Sequence, residues 1–127
     1  ARGDYKSFRN RSLDDLMAIH NNILIKLLGF SSDFGKDREA ILQKLDVIRS
    51  CYRDAMIYRE TGREDSLINR DRMDIIGDMA HRLDGRDLLE RLQAVEHAFQ
   101  AIDQNANKAL TLEAMMFKLA HQRRQEA

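Results

Sequence analysis

The 127-residue sequence contains no proline, only six glycines and a single cysteine. All-β folds rely on proline and glycine at their many tight turns, so the scarcity of both residues favours helices before any periodicity is considered. The cysteine, Cys51, has no partner for an intramolecular disulfide, which agrees with a reducing compartment. A chain of this length has room for one compact domain with one hydrophobic core.

An excess of charge of one sign is also missing, because 21 lysines and arginines are balanced by 21 aspartates and glutamates. The overall positive field that concentrates a protein on nucleic acid is therefore absent. No apolar run approaches the roughly 20 residues that span a bilayer, and no signal-peptide pattern precedes the domain. These features predict a cytoplasmic protein with no membrane partner.

The first residues are polar and weakly patterned, and the chain starts without methionine. We expect an excised fragment in which residues 1–11 form a linker or arm from an upstream domain, residues 12–123 a helical domain and residues 124–127 a tail. The arm mixes basic and aromatic residues, a composition that can follow a phosphate backbone. Because the domain is neutral overall, a linker is the favoured interpretation. The residues concerned are Arg2, Tyr5, Lys6, Phe8, Arg9 and Arg11.

Apolar residues recur at helical spacing in five segments. The predicted helices run from about Leu13 to Leu28, Lys36 to Arg59, Arg70 to Leu83, Arg86 to Ile102, and from after Asn107 through Ala120. Residues typical of helix starts and stops accompany them, namely Ser12 with Asp15 as a capping box, Gly29, Asp33, Gly62, Asn69 and Gly85. Short connections favour antiparallel neighbours, so the predicted fold class is all-α, a five-helix bundle.

The fifth predicted helix carries apolar residues on more than one face, because Phe117 lies opposite the main stripe. A helix that is wetted on one side does not need a second apolar face. Either the helix is central in the bundle, with Phe117 packed in the core, or a partner covers the second face.

A search for catalytic chemistry finds no supporting motif. The glycines form no phosphate-binding loop, and only Asp78-x-x-His81 has a spacing typical of metal ligands, without the second such pair that a di-metal bundle requires. Cys51 lies beside an apolar stripe, where a thiol behaves as a small hydrophobe. We expect no catalytic, cofactor or metal site, and hence a domain that is not an enzyme.

Three segments carry a more specific signal. They are Tyr52-Arg53-Asp54 with Met56-Ile57-Tyr58 and Thr61-Gly62, then Leu67-Ile68-Asn69-Arg70-Asp71, then Asn105-Ala106-Asn107-Lys108-Ala109-Leu110-Thr111-Leu112-Glu113 leading into Met115-Met116-Phe117. Together they resemble the C-terminal collar domain of the delta-prime subunit of the bacterial DNA polymerase III clamp loader. The resemblance covers about residues 45 to 120. It departs from the family at Lys108, where proline is common.

The resemblance implies an oligomerisation domain that joins other clamp-loader subunits, gamma/tau and delta, in a ring called the collar, which supports sliding-clamp loading in DNA replication. The sliding clamp and primer-template DNA would be reached only through the full complex, and no cofactor is implied. The matching positions are the candidate motif and interface residues: Arg53, Asp54, Asn69, Asp71, Asn105, Asn107, Leu110, Glu113 and Phe117.

Specific roles follow for some of these residues. Asn107 would cap the last helix, Glu113 would add an acid to its first turns, and Phe117 would face a partner. For Arg53 and Asp54 we expect local ion pairs with other helices.

Two other classes of protein share the coarse features. A dimerisation or ligand-binding helical domain of a transcriptional regulator would be all-α and of similar size, and it predicts a closed apolar pocket and a homodimer. An α-helical enzyme would need convergent residues with perturbed pKa values, and the sequence gives no sign of them.

Overall fold

The computed structural model describes residues 2–21 and 37–120, and every regular element in these ranges is helical. The helices are α1 (Arg2–Asn21), α2 (Arg38–Thr61), α3 (Met73–Arg82), α4 (Gly85–Asp103) and α5 (Lys108–Ala120). A single 3₁₀ turn, Arg70–Arg72, precedes α3. The predicted all-α class and the five helices are confirmed for these residues.

Helix α1 begins eleven residues earlier than the pattern predicts, at Arg2 instead of Leu13. The capping box predicted at Ser12 and Asp15 is wrong, because Ser12 lies inside the helix and its hydroxyl donates to the Phe8 carbonyl, 3.0 Å away. Serine commonly bonds back to the preceding helical turn in this way. The helix is continuous across residue 11, which was the predicted boundary between the arm and the helical domain. The predicted end of the helix, at Leu28 and Gly29, lies outside the described residues.

Helix α2 follows its predicted span closely and has well-defined ends. Its N-cap is Asp37, whose carboxylate accepts from the Ala40 amide at 3.2 Å. It ends at Gly62, as predicted, with φ 69° and its N–H donating to the Tyr58 carbonyl at 2.7 Å. Glycine adopts this left-handed conformation without the steric cost that a Cβ would bring. The alternative start signal, Asp33, lies outside the described residues.

Helix α2 is the central element of the bundle. It packs against α1, α3 and α4, while α5 packs mainly on α4 and also touches α1. The apolar stripe of α4 faces this core, with Leu88, Val95 and Ile102 fully buried and Leu92 and Phe99 partly buried. The 4-3-4-3 spacing of that stripe explains why the predicted ends of α4 agree with the structure to within one residue.

Three arginines bind the free carbonyls at the ends of three different helices. Arg38 donates to the Asp103 carbonyl at 2.9 Å at the end of α4, and Arg59 donates to the carbonyls of Ala80 (2.8 Å) and Leu83 (3.1 Å) after α3. The buried Arg91 donates to the Leu119 carbonyl near the end of α5. The last carbonyls of a helix lack partners within the helix and carry partial negative charge, so each cation both pairs them and ties one helix to another.

Candidate functional site

Eight of the nine candidate residues fall into two groups in the structure, and the ninth, Arg53, is exposed on α2. Asp54 and Asn69 are hydrogen-bonded to each other where the connector after α2 turns into the 3₁₀ element that contains Asp71, a region we call the connector joint. The other group lies at the turn between α4 and α5 and along α5. It comprises Asn105, Asn107, Leu110, Glu113 and Phe117.

Asp54 is the buried centre of the connector joint. Its carboxylate accepts from the Ile68 amide at 3.0 Å, the Asn69 amide at 2.7 Å and the Asn69 side-chain amide at 2.9 Å. A buried carboxylate is stable only when such donors replace its water shell. These donors are amides of the connector, whereas an ion pair with another helix was expected, and the side chain of the neighbouring Arg53 is exposed.

Asn69 does not cap α3, contrary to the prediction. Its side-chain amide donates to Asp54 and to the Ser50 hydroxyl, the latter at 3.1 Å, and it makes no capping hydrogen bond. The turn after it is closed by the backbone, with the Arg72 amide donating to the Asn69 carbonyl at 2.9 Å. Asn69 therefore joins the connector to α2, and a tertiary contact takes the place of the local cap.

Two arginine pairs attach α1 to the other side of the connector joint. The guanidinium of Arg9 binds both carboxylate oxygens of Asp71, one of them at 3.0 Å. Arg72 donates to Asp14 at 2.8 Å and to Asp74 at 2.9 Å. The hydrogen bond from Arg9 holds the pKa of Asp71 below its usual range, and the bond from Arg72 does the same for Asp74.

The sequence pattern missed the roles of Arg9 and Arg72. Arg9 lies in the segment interpreted as a basic arm, yet it is buried, and its partner Asp71 is 62 residues away in the chain. No local spacing relates residues that far apart. The only signal was indirect, because Asp71 belongs to one of the three resembling segments.

The turn between α4 and α5 is fixed by two asparagines. Asn105 takes the left-handed conformation with φ 67°, its amide donates to the Ile102 carbonyl at 3.0 Å, and the Ala106 amide donates to the Ala101 carbonyl at 2.9 Å. This is the hydrogen-bond pattern of the Schellman C-terminal motif, in which asparagine can replace glycine. Asn107 then accepts from the Leu110 amide at 2.9 Å, which confirms its predicted capping role.

Helix α5 has one buried face and one mixed, solvent-facing face. Leu112, Met115, Met116 and Leu119 pack into the core. On the other face, Leu110 is 66% exposed and Phe117 57% exposed, with the exposed residues Glu113 and Ala114 between them. Core packing of Phe117 is thus excluded. Because α2 is the central helix, a central position of α5 does not explain its second apolar face either.

A groove of about 240 Å³ lies between α4 and α5. One wall is formed by the small side chains of α4 and the other by α5. The lining residues are Ala94, His97, Ala98, Ala101, Leu110, Thr111, Ala114, Met115 and Lys118. Sequence reasoning did not identify this groove, because it depends on how the two helices pack.

The residues considered for catalysis and metal binding make contacts within the fold. Cys51 is buried, its sulfur lies 3.7 Å from that of Met79, and burial together with the charge of Asp54 raises the pKa of the thiol. Asp78 accepts from Arg82 at 3.0 Å. Within residues 2–21 and 37–120, no three histidine, cysteine, aspartate or glutamate side chains come together as a metal site. No helix there is both long and apolar enough to span a bilayer.

The chain matches a known protein family. Residues 6–121 match the family model described as DNA polymerase III, delta subunit, C terminal. No curated protein and no solved structure matches the chain significantly. The family match begins at residue 6, within α1 and within the segment interpreted as an arm, and reaches the end of α5.

Proposed function

Because the chain belongs to the family of C-terminal domains of the DNA polymerase III delta subunit, we propose that it is the collar domain of a delta-prime-type clamp-loader protein. In this role it oligomerises with the other subunits, gamma/tau and delta, and so supports sliding-clamp loading in DNA replication in the cytoplasm. The family is a non-catalytic domain of the clamp loader. The family assignment argues against the alternative of a transcriptional-regulator domain.

The observation that carries the oligomerisation role is the mixed face of α5. Leu110 and Phe117 expose large apolar side chains on a helix that the rest of the bundle holds in place through Arg91 and the Asn105–Asn107 turn. Aromatic and aliphatic side chains presented on a rigid element are typical anchors of protein interfaces. We therefore propose that α5, with its start and with α4, contacts a neighbouring collar domain.

The delta-prime identity is supported by the connector joint. The resemblance selected Arg53-Asp54 and Leu67-Ile68-Asn69 as separate segments, and Asp54 binds the backbone at Ile68 and Asn69 directly. In the same proposal the parent protein carries an upstream domain before α1.

Phe117→Glu tests the oligomerisation role. Because the side chain is exposed, the variant should fold like the wild type and should fail to co-purify with the gamma/tau and delta subunits. Circular dichroism and thermal melting check the fold, and Lys108→Glu is a matched control on the same helix. Unfolding of the Phe117→Glu monomer, or unchanged co-purification, contradicts the proposal.

A further inference from the structure

Some residues of the resembling segments are used neither by the core nor by the proposed collar contact. Along the connector, Leu67 and Asn69 are buried, whereas Ile68 between them and Arg70 after them are exposed. Alternate side chains of the connector therefore face the core and the solvent. Arg53 on α2 is exposed as well. These three exposed side chains are free to contact another molecule.

Ile68 is presented to solvent by a fixed backbone. Its amide donates to the buried carboxylate of Asp54 at 3.0 Å, and the next amide, that of Asn69, donates to the same carboxylate at 2.7 Å. The side chain of Ile68 is nevertheless 55% exposed. A large aliphatic side chain whose backbone is already ordered loses little conformational freedom on binding, which suits it as an interface anchor.

Helix α1 adds an aromatic and a basic side chain to this side of the molecule. Arg9 binds Asp71, so α1 lies against the 3₁₀ turn at that point. The charge of Lys6 helps to lower the pKa of Asp71, which places Lys6 near the same carboxylate. Tyr5 lies one turn before Arg9 on the same face of α1 and is 58% exposed. We call the exposed side chains around the connector joint the joint patch, namely Tyr5, Lys6, Arg53, Ile68 and Arg70.

The joint patch has cations whose charge the fold does not use. Lys6, Arg53 and Arg70 form no ion pair with any residue of the described ranges. The neighbouring acids already bind other arginines, in the pairs Arg9–Asp71, Arg63–Asp65, Arg72–Asp14 and Arg72–Asp74. Unpaired cations beside exposed apolar side chains are complemented by carboxylates beside an apolar side chain.

The acids around the joint patch favour a peptide over nucleic acid as the partner. Asp71 keeps 44% of its side chain exposed, and Glu64 and Asp65 are exposed in the connector. A nucleic acid carries a negative charge at every phosphate and would be repelled by these carboxylates, whereas a peptide can carry its acids only where the cations are. The aliphatic Ile68 also offers a base no aromatic ring on which to stack.

The small size of the joint patch limits the kind of partner. A stable interface between two folded proteins takes roughly 20–30 residues from each side, far more than the patch contains. A short segment of chain needs only a few anchoring side chains and matches the patch in size.

We propose that the joint patch binds a short acidic segment of another protein. Aspartate or glutamate side chains of the segment pair with the three cations, and an apolar side chain between them packs on Ile68 and Tyr5. This surface belongs to α1, α2 and the connector, whereas the proposed collar contact belongs to α5 and α4. The proposal therefore gives the domain a second binding surface with a different partner.

Selection from a phage-displayed library of random peptides on the 127-residue chain tests the chemistry of the partner. Peptides that also bind the double variant Arg53→Ala/Arg70→Ala are discarded. The remaining peptides should be enriched in aspartate or glutamate on both sides of leucine, isoleucine or phenylalanine. A lack of such enrichment, or enrichment in basic residues, would overturn the proposal.

Fluorescence anisotropy with the most enriched peptide then tests the individual side chains. Arg53→Ala and Ile68→Ser should each weaken the dissociation constant by about fivefold or more. The matched controls Arg11→Ala and Leu89→Ser change exposed side chains outside the joint patch and should stay within about twofold of the wild type. Equal losses in the controls would contradict the assigned surface, and tighter binding of labelled oligothymidylate than of the peptide would contradict the assigned partner.

Co-purification separates this inference from the proposed function. The double variant Arg53→Ala/Arg70→Ala should keep the circular dichroism spectrum of the wild type and still co-purify with the gamma/tau and delta subunits. Phe117→Glu should bind the peptide as the wild type does. Loss of co-purification by the folded double variant would make the joint patch part of the collar contact and would overturn the inference.

Discussion

Replacing Asp54 by alanine removes the centre of the connector joint. Three donors lose their acceptor together: the backbone amides of Ile68 and Asn69 and the side-chain amide of Asn69. Asn69 is fully buried, so water cannot easily replace the carboxylate at two of these donors. The backbone amide of Ile68 lies nearer the surface, where its side chain is 55% exposed.

The size of the effect follows from those three donors. Leaving one buried donor unpaired costs about 1–3 kcal/mol, and the two donors of Asn69 share one environment, so their costs do not simply add. We expect Asp54→Ala to lower the free energy of unfolding by about 3–5 kcal/mol, a large part of the roughly 5–15 kcal/mol typical of a domain. Asp54→Asn keeps one acceptor oxygen and should lose about 1–3 kcal/mol.

Urea unfolding followed by circular dichroism measures these losses, with Arg53→Ala as the control. Arg53 is the exposed neighbour of Asp54, and its replacement should change the free energy of unfolding by less than about 0.5 kcal/mol. The loss in the free energy of unfolding should be largest for Asp54→Ala, smaller for Asp54→Asn and smallest for Arg53→Ala. A loss below about 1 kcal/mol for Asp54→Ala would show that the connector does not depend on this carboxylate.

Two further predictions concern pH and thiol chemistry. The pKa of Asp71 is lower in the folded state than in the unfolded chain, because Arg9 binds its carboxylate. The stabilisation by this contact is therefore complete above the ordinary pKa of 3.8 and is lost as the pH falls through the lower pKa of the folded state. Asp71→Asn should therefore be less stable than the wild type in urea unfolding at pH 5, with the difference shrinking toward pH 2; an equal difference at both pH values would contradict the contact. Cys51 is buried with a raised pKa, so a thiol reagent should label it only as fast as the protein opens, and urea should accelerate the labelling; immediate labelling of the native protein would be inconsistent with its burial.

The helices that the sequence predicts best are those with strong local signals. The regular stripe of α4 and the glycine after α2 gave boundaries close to the structure, because burial of one face and the left-handed conformation of Gly62 are both encoded locally. The start of α1 was missed for the opposite reason. Its first turns lack an apolar stripe, and Arg9 is held by Asp71, 62 residues away.

The sequence identified the motif residues, but it did not predict all of the contacts that they make. Asn69 has the side chain of a helix cap, but the buried carboxylate of Asp54 competes for it, and that competition depends on tertiary packing. Asn107 faces no such competitor and caps α5 as its position predicts. The exposure of Phe117 likewise depended on which helix lies at the centre of the bundle, which periodicity does not determine. The groove forms only where α4 and α5 pack together, so the residue pattern of either helix alone does not predict it.

We propose that this chain is an oligomerisation domain of the clamp loader. Size-exclusion chromatography with light scattering, run on the domain alone and then with the gamma/tau and delta subunits, tests it most directly. Adding those subunits should move the domain into a larger complex, and Phe117→Glu should prevent the shift. A stable homodimer that ignores the other subunits would contradict it.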